Sequence, residues 1–350
     1  MKNVDFRHNS YGYNLPKNLI AQEPANPRDS SKLLVYNTKN NEIIIDTFSH
    51  LSTYLTPSTT LTLNDAKVVP VRATLSKETG GKIVVLFLVN EWIMSPESPI
   101  PCFFDRKAQI GNKLYFQDKS FVTVCGQEEG LFFVSWNGSV QSLFSQLDSS
   151  GTMPIPPYIK HSPLSRSELM EKYQTIFAKK PGSSAAPTAS LHFTPAVFQS
   201  LKEKGIQTLT ITLHVGLGTF APLTQKNFAE NKLHNEWYEV TDDAMQNMYQ
   251  SKKEGKKIIA VGTTVVRTLE SVARNGRLTG KTDLFIQPSF EFKIIDGLIT
   301  NFHLPGSSLM MLVDAFLAYK HAPKRIGELY QYAIDNKLRF YSFGDAMLIQ

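Results

Sequence analysis

Ile206 to Pro222, IQTLTITLHVGLGTFAP, is the stretch whose reading decides the fold. A short β-run, Thr208 to Leu213, passes straight into His214-Val-Gly216-Leu-Gly218-Thr219-Phe220. A strand that ends in a polar residue and two closely spaced glycines has brought its backbone to a place where something approaches closely. Alone, the stretch reads equally well as a tight turn out of a core strand. Recurrence shifts the balance. Lys257 to Val261 runs into Gly262-Thr263-Thr264-Val-Val-Arg267, Leu284 to Ile286 into Gln287-Pro288-Ser289-Phe290, and Leu298 to Thr300 into Asn301-Phe302-His303. In parallel α/β folds ligands gather at the carboxyl ends of strands, so these four exits are expected to face one cavity.

Upstream, two short strands (Lys32 to Tyr36 and Glu42 to Asp46) read as a hairpin, followed by a helix from Phe48 to Leu55 that Pro57 ends. From about Val68 the texture changes. Short β-runs at Lys82 to Val89, Lys113 to Phe116, Phe121 to Val124 and Leu131 to Trp136 have no helical periodicity between them, which predicts a small antiparallel barrel or sandwich. After the stiff connector Met153-Pro-Ile-Pro-Pro-Tyr158, helix and strand alternate again. Thr194-Pro195 starts one helix in the favoured cap-then-proline order, and two more close the chain. The expected architecture is α/β: a distorted α/β barrel main domain (1–66 and 152–350) carrying an inserted all-β barrel (67–151).

The 350 residues are 42% hydrophobic and 19% charged with a formal charge of +6, which permits a polyanionic partner without requiring one. Cys102 and Cys125 build neither a disulfide framework nor a zinc site, as expected of a reducing cytoplasm. MKNVDFRHNS has no apolar core of a signal peptide, and Leu309 to Ala318 is broken by Asp314 and too short to span a bilayer. HExxH, CxxC, GxxxxGK[ST] and GxSxG are missing from the chain, so no metal, nucleotide-triphosphate loop or serine elbow is expected.

The exit at Gly262 is the most explicit of the four. Free N–H groups at the start of its helix, with Thr263, Thr264 and Arg267, suit a carboxylate or phosphate. The competing reading makes the threonines helix caps and pairs Arg267 with Glu270. His214, His234 and His303 are candidate acids or bases, although a single histidine is more often structural. These patterns reach a cytosolic α/β enzyme for a small anionic or zwitterionic ligand.

Ten ordered motifs go further: LPKNLIAQEPANPRDSSKLLV, LNDAKVVPVR, TGGKIVVL, MPIPPYI, YQTIFAKKPGSSAAPTASLHFT, TLHVGLGTF, LHNEWYEV, VGTTVVRTLES, LITNFHLPGSSLMMLV and YSFGDAMLI. Through them the chain closely resembles the S-adenosylmethionine:tRNA ribosyltransferase-isomerases of queuosine biosynthesis. The resemblance runs nearly end to end. It implies the barrel-plus-insert architecture. It also implies transfer and isomerisation of the ribosyl part of S-adenosylmethionine onto 7-aminomethyl-7-deazaguanine at the tRNA wobble position. Adenine and methionine are released and epoxyqueuosine is left. S-adenosylmethionine is then a consumed substrate, tRNA the partner, no cofactor or metal is implied, and a monomer is expected.

That chemistry needs a base beside the sulfonium, a proton for departing adenine, a reader for the deazaguanine edge and cations for carboxylate and tRNA backbone. The expectation places His214, His303 and Asp65 in catalysis. Gly216, Gly218, Thr219, Glu236, Thr263, Thr264, Arg267, Asn301 and Asp345 are expected against substrate, with Asp65, Glu236 or Asp345 reading the base or amine. Arg28, Lys179 and Lys180 are expected against tRNA. Departures from the family pattern fall at Ala66, Lys67, Ser190, Val265 and Leu233. Lys for Arg at 67 matters where two parallel hydrogen bonds are wanted. They keep open a divergent tRNA-binding relative without turnover. A sugar-phosphate enzyme on a similar barrel is disfavoured by the order of the motifs.

Overall fold

The computed structural model describes residues 11–128, 130–216 and 223–350, so Gly218 and Thr219 of the opening stretch lie outside the described residues. The first strands are β1 (Lys32–Asn37), β2 (Glu42–Thr47), β3 (Thr59–Asn64) and β4 (Ala66–Val68). Six follow: β5 (Arg72–Lys77), β6 (Lys82–Phe87), β7 (Ile100–Phe104), β8 (Lys113–Tyr115), β9 (Phe121–Glu128) and β10 (Leu131–Trp136). The rest are β11 (Lys180–Ser183), β12 (Gln207–Leu213), β13 (Lys232–Glu239), β14 (Lys257–Val261), β15 (Thr279–Leu284), β16 (Gly297–Asn301) and β17 (Ala346–Ile349).

Among the described residues nine strands form one mixed sheet in the order β15-β13-β12-β3-β14-β16-β17-β1-β2. At its centre β12, β3, β14 and β16 are mutually parallel, so their carboxyl ends emerge side by side. Antiparallel partners flank them, β13 and β15 on one side and β17 on the other. The order ends at β15 and β2, and no pairing among the described residues joins these edges. The closure expected of an α/β barrel is therefore not seen, because each end of the sheet finishes in an antiparallel ribbon.

The central strands are buried on both faces, which is why they read as near-continuous apolar runs. Alternate residues serve opposite cores. Ile258, Ala260, Leu298 and Met347 pack with Met245, Met248, Val266, Leu269 and Phe316 from the helices Asp242–Lys253, Thr263–Asn275 and Ser308–Tyr319. Ile259, Val261, Ile299 and Leu348 face the other way, onto Phe48, Leu51, Val197 and Leu201. Phe48–Tyr54 is a 3-10 helix, tighter than the helix the sequence predicts there. Thr194 caps the helix Pro195–Glu203 through its side chain, as the cap-then-proline order predicts.

The six middle strands close into an antiparallel barrel, β10-β7-β6-β5-β8-β9. Inward-facing Leu75, Ile83, Val85, Phe87, Val122 and Val134 fill it, and Leu143, Phe144 and Leu147 of the helix Val140–Ser150 join the same core. Four of its strands fall where the β-runs predict, whereas β5 and β7 are additional. At its base Arg72 and Thr152 exchange backbone hydrogen bonds, the Thr152 N–H donating to the Arg72 carbonyl at 2.8 Å. Beyond them β4 and β11 pair in parallel within the main body.

Candidate active site

The exits of β12, β3, β14 and β16 lie next to one another and carry His214, Asn64-Asp65, Gly262 and Asn301-Phe302. Gln287 to Phe290 does not join them. It follows β15 at the sheet edge, where Gln287 donates to Asn231 at 2.6 Å and Phe290 takes the Arg274 guanidinium on its ring face. β3, between β12 and β14, supplies the fourth exit instead, and Asn64 makes it useful. Its Nδ2 donates to the Leu213 carbonyl at 3.0 Å and to Thr264 Oγ1 at 3.3 Å, while Oδ1 accepts from the Leu213 and Ala66 N–H groups. One fully buried, fully used amide thus ties three strand exits together.

A cavity of about 280 Å³ opens at this end of the sheet. One wall is Gly262, Thr263 and Thr264, another Thr300 to Ser307, and a third the small-residue loop Ala185 to Ala189. Tyr158 and Tyr341, with ring centroids 4.7 Å apart, supply aromatic surface. Gly262 has φ +96°, a conformation L side chains rarely adopt, and the helix Thr263–Asn275 begins there without a side-chain cap. Its first N–H groups and positive dipole end suit an anion.

His303 lines this cavity. Its Nε2 lies 2.8 Å from Thr300 Oγ1 and its backbone N–H donates to the Tyr330 hydroxyl at 2.8 Å, while Tyr13 donates its hydroxyl to the His303 carbonyl. Burial lowers its pKa to about 3, so the ring is neutral at physiological pH. His214 sits just off the cavity, whose wall at that exit is the next residue, Val215. Its ring stacks on Trp237 at 5.3 Å between centroids, and Gly182, with φ +138°, lies so close that a Cβ there would sit 3.1 Å from the imidazole. Burial, with Lys180 adding to it and Glu239 opposing, lowers the His214 pKa to about 4, and Nδ1 has no hydrogen-bond partner among the described residues. His234 is exposed on β13.

Asp65 is buried beneath these groups and accepts from Thr212 Oγ1 at 2.6 Å. Burial pushes its carboxyl up, against the Thr212 hydrogen bond and the charges of Lys180 and Lys179. The Lys179 N–H donates to the Asp65 carbonyl, and Lys180 pairs with Glu239 at 2.6 Å. Both lysines therefore border the site, Lys179 exposed and Lys180 half-buried.

Arg267 is placed differently from the expectation. It is buried and ion-paired with Glu236, and its Nε donates to the Leu284 carbonyl at 3.2 Å. It does not line the cavity. Glu236 in turn accepts the Gly216 N–H at 3.0 Å, so the pair anchors the first glycine of the opening loop. Glu270, the sequence-near partner, is taken by Arg274 at 2.9 Å and by the N–H groups of Lys293 and Ile294. Asp345 lies off the cavity and holds the Lys32 and Arg339 N–H groups at 3.0 and 2.7 Å. Arg28 donates to the carbonyls of Gln174 and Glu171. Of the expected substrate residues, the structure brings Thr263, Thr264 and Asn301 to one cavity with the catalytic candidate His303, and Gly216, Glu236 and Arg267 to an adjoining brace.

The queuosine biosynthesis protein family model matches residues 8–349. The chain belongs to this family. It is 43% identical to the S-adenosylmethionine:tRNA ribosyltransferase-isomerase of Carboxydothermus hydrogenoformans, covering 97% of this chain and 98% of that protein. Identity to the enzyme of the same name from Thermosipho melanesiensis is also 43%, with the same coverage. The crystal structure of S-adenosylmethionine tRNA ribosyltransferase from Thermotoga maritima superposes with a TM-score of 0.55 at 33% identity, covering 97% of this chain and 99% of that one. Among the described residues no helix is long and apolar enough to cross a membrane, and no group of three or more His, Cys, Asp or Glu side chains is placed to hold a metal.

Local sequence pattern does not single out His192, Asn90 or Tyr158. His192 and Asn90 are buried polar side chains at this end of the molecule, and Tyr158 lines the cavity. The signal for His192 and Tyr158 was their place inside quoted motifs, ASLHFT and MPIPPYI. Asn90 gave none, because it comes from the barrel segment and meets Gly216 only through the fold.

Proposed function

We propose that this chain transfers and isomerises the ribosyl moiety of S-adenosylmethionine onto 7-aminomethyl-7-deazaguanine at the wobble position of tRNA. Adenine and methionine leave and epoxyqueuosine remains. S-adenosylmethionine is consumed as substrate, and no separate cofactor or metal takes part. The observation that carries the reading is the cavity at the parallel strand ends, in a chain 43% identical to a relative named for this activity. It offers a helix N-terminus for the methionyl carboxylate and aromatic surface for a flat base.

The sulfonium acidifies its neighbouring carbon, and a neutral imidazole is the form that accepts the proton. His303, at the cavity, fills that role, and His214 with Asp65 handles the proton that adenine needs on leaving. Asp65 also reads an amine of the incoming base. Thr263 and Thr264 hold the carboxylate. Arg267 and Glu236 act through the Gly216 loop rather than by touching the carboxylate. Lys179 and Lys180 face the tRNA backbone, whereas Arg28 holds the loop that presents them. The protein works as a monomer in the cytoplasm, with residues 67–151 as an inserted unit beside the tRNA.

The test is direct. Purified protein is incubated with S-adenosylmethionine and tRNA carrying the deazaguanine precursor, and free adenine and the modified nucleoside are quantified by chromatography. Equimolar adenine and epoxyqueuosine are expected. Tight tRNA binding with neither product would overturn the reading.

A further inference from the structure

Asn301 ends β16 at the cavity wall, 2% exposed, and its Oδ1 has no hydrogen-bond partner among the described residues. Leaving a buried amide oxygen unmatched is destabilising, so a fold that keeps one at a cavity calls for a reason. The other end of the same amide is fully engaged. Nδ2 meets the Nε2 of His192 at 3.3 Å and the Asp345 carbonyl at 3.5 Å. The Asp345 carbonyl can only accept, so the amide must present its NH₂ on that side. His192 Nε2 is then the lone-pair nitrogen, and the proton sits on Nδ1, 2.8 Å from Ser31 Oγ. Phe48 packs on the His192 ring at 5.0 Å, and burial, helped by the Arg339 and Arg28 charges, lowers its pKa to about 3. The relay Ser31–His192–Asn301 is thus locked in one proton arrangement.

We infer that His192, set by Ser31, is a positioning residue that holds Asn301 with Oδ1 as the cavity's acceptor for an N–H donor of the substrate. The relay accounts for all three polar side chains, and it excludes a ligand acceptor at this point. The inference rests on the proposed reaction, in which S-adenosylmethionine carries two such donors, the methionyl ammonium and the adenine amino group. Neighbouring structure favours the ammonium. β14 and β16 are paired in register up to Val261 opposite Ile299, and just beyond that pair Thr263 at the helix start and Asn301 both line the cavity. A carboxylate on the helix N-terminus then leaves the adjacent ammonium beside Asn301, matching the two ends of one amino acid.

The experiment compares the wild-type chain with His192→Phe, which keeps an aromatic ring but removes both nitrogens, and His192→Gln, whose amide oxygen can replace Nε2. Ser31→Ala leaves the ring in place and frees the tautomer. Calorimetric Kd values for S-adenosylmethionine, methionine and adenine are measured together with KM, kcat and melting temperature. His192→Phe is expected to weaken S-adenosylmethionine and methionine tenfold or more, to leave adenine within twofold, and to raise KM more than it lowers kcat. His192→Gln should recover most of that loss, with Ser31→Ala in between. Loss of adenine affinity instead of methionine affinity overturns the ammonium assignment. Unchanged S-adenosylmethionine affinity in His192→Phe, or equal losses in the Phe and Gln variants in step with melting temperature, overturns the positioning role. A wild-type chain that binds S-adenosylmethionine but releases no adenine breaks the proposed reaction and leaves the Kd comparison standing.

Discussion

The barrel and the main sheet treat buried polar groups in opposite ways. Between Val69 and Met153 only Asn90 is a buried polar side chain among the described residues, and the rest of that interior is apolar. At the ends of the parallel strands, by contrast, Asn64, Asp65, His214, Glu236, Arg267, Asn301 and His303 are all buried together. The barrel is held by apolar area, which tolerates exchange of shape for shape. The strand ends are held by matched donors and acceptors, where removing one partner strands the other. Stability and chemistry should therefore come apart when the two regions are mutated.

The largest expected effect is on rate. His303→Ala and His214→Ala should each lower adenine release by about 10²–10⁴-fold, the usual worth of general acid–base catalysis. Leu75→Ala in the barrel core should cost about 2–5 kcal/mol of stability yet leave the rate per folded molecule near normal. Near-normal turnover in both histidine variants, or an equal rate loss in the barrel variant, would break the contrast.

Next comes the buried ion pair. Arg267→Leu removes the cation from Glu236 and should cost about 3–5 kcal/mol in urea denaturation. Replacing both partners by apolar residues should recover a good part of that. A single replacement as mild as a surface change would sink the idea that the pair braces the Gly216 loop.

Acid sensitivity is smaller per group. His192, His214 and His303 have folded pKa values lowered to about 3, 4 and 3 from an ordinary 6.5. Below pH 6.5 the unfolded chain binds protons that the folded one does not. The stability these neutral rings contribute is therefore complete above 6.5 and lost as pH falls towards 4 and 3. The slope is about 1.4 kcal/mol per pH unit for each ring. Urea midpoints at pH 7 and pH 5 should differ accordingly, and His214→Gln should flatten the dependence by one ring's share. Equal midpoints in the wild-type chain would contradict buried neutral histidines.

The mildest test probes where the two regions touch. A Cβ at Gly216 would sit 2.9 Å from Asn90 Nδ2, so Gly216→Ala is expected to cost about 1–3 kcal/mol by overpacking. Adding Asn90→Ala should relieve much of it, and a double-mutant cycle reads the coupling. Strict additivity would mean that the barrel does not press on the loop.

Periodicity made the parallel core and most of the barrel legible, since β14 and β16 are short buried runs with glycine or threonine at their exits. β7 hides behind Pro101, and β5 has only Ala73 and Leu75 as apolar residues among polar ones, so neither stands out as a strand. The motifs named the neighbourhood of the site but not its wiring. Arg267 is paired with Glu270 in the competing reading because the two share a helix. Its partner Glu236 lies on a strand that only the sheet order brings near. Asp345 looked like a reader of substrate, yet its oxygens are spent on the N–H groups of Lys32 and Arg339, contacts that no local pattern shows.

The paired backbones of Arg72 and Thr152 have a consequence for how the chain closes. Loop-closure entropy grows only with the logarithm of loop length, and a folded insert whose ends already touch contributes almost none of its own. To the nine-stranded sheet, the whole barrel is a tight turn. Its size can change, strand by strand, without altering the distance that β4 and β11 must span to find each other.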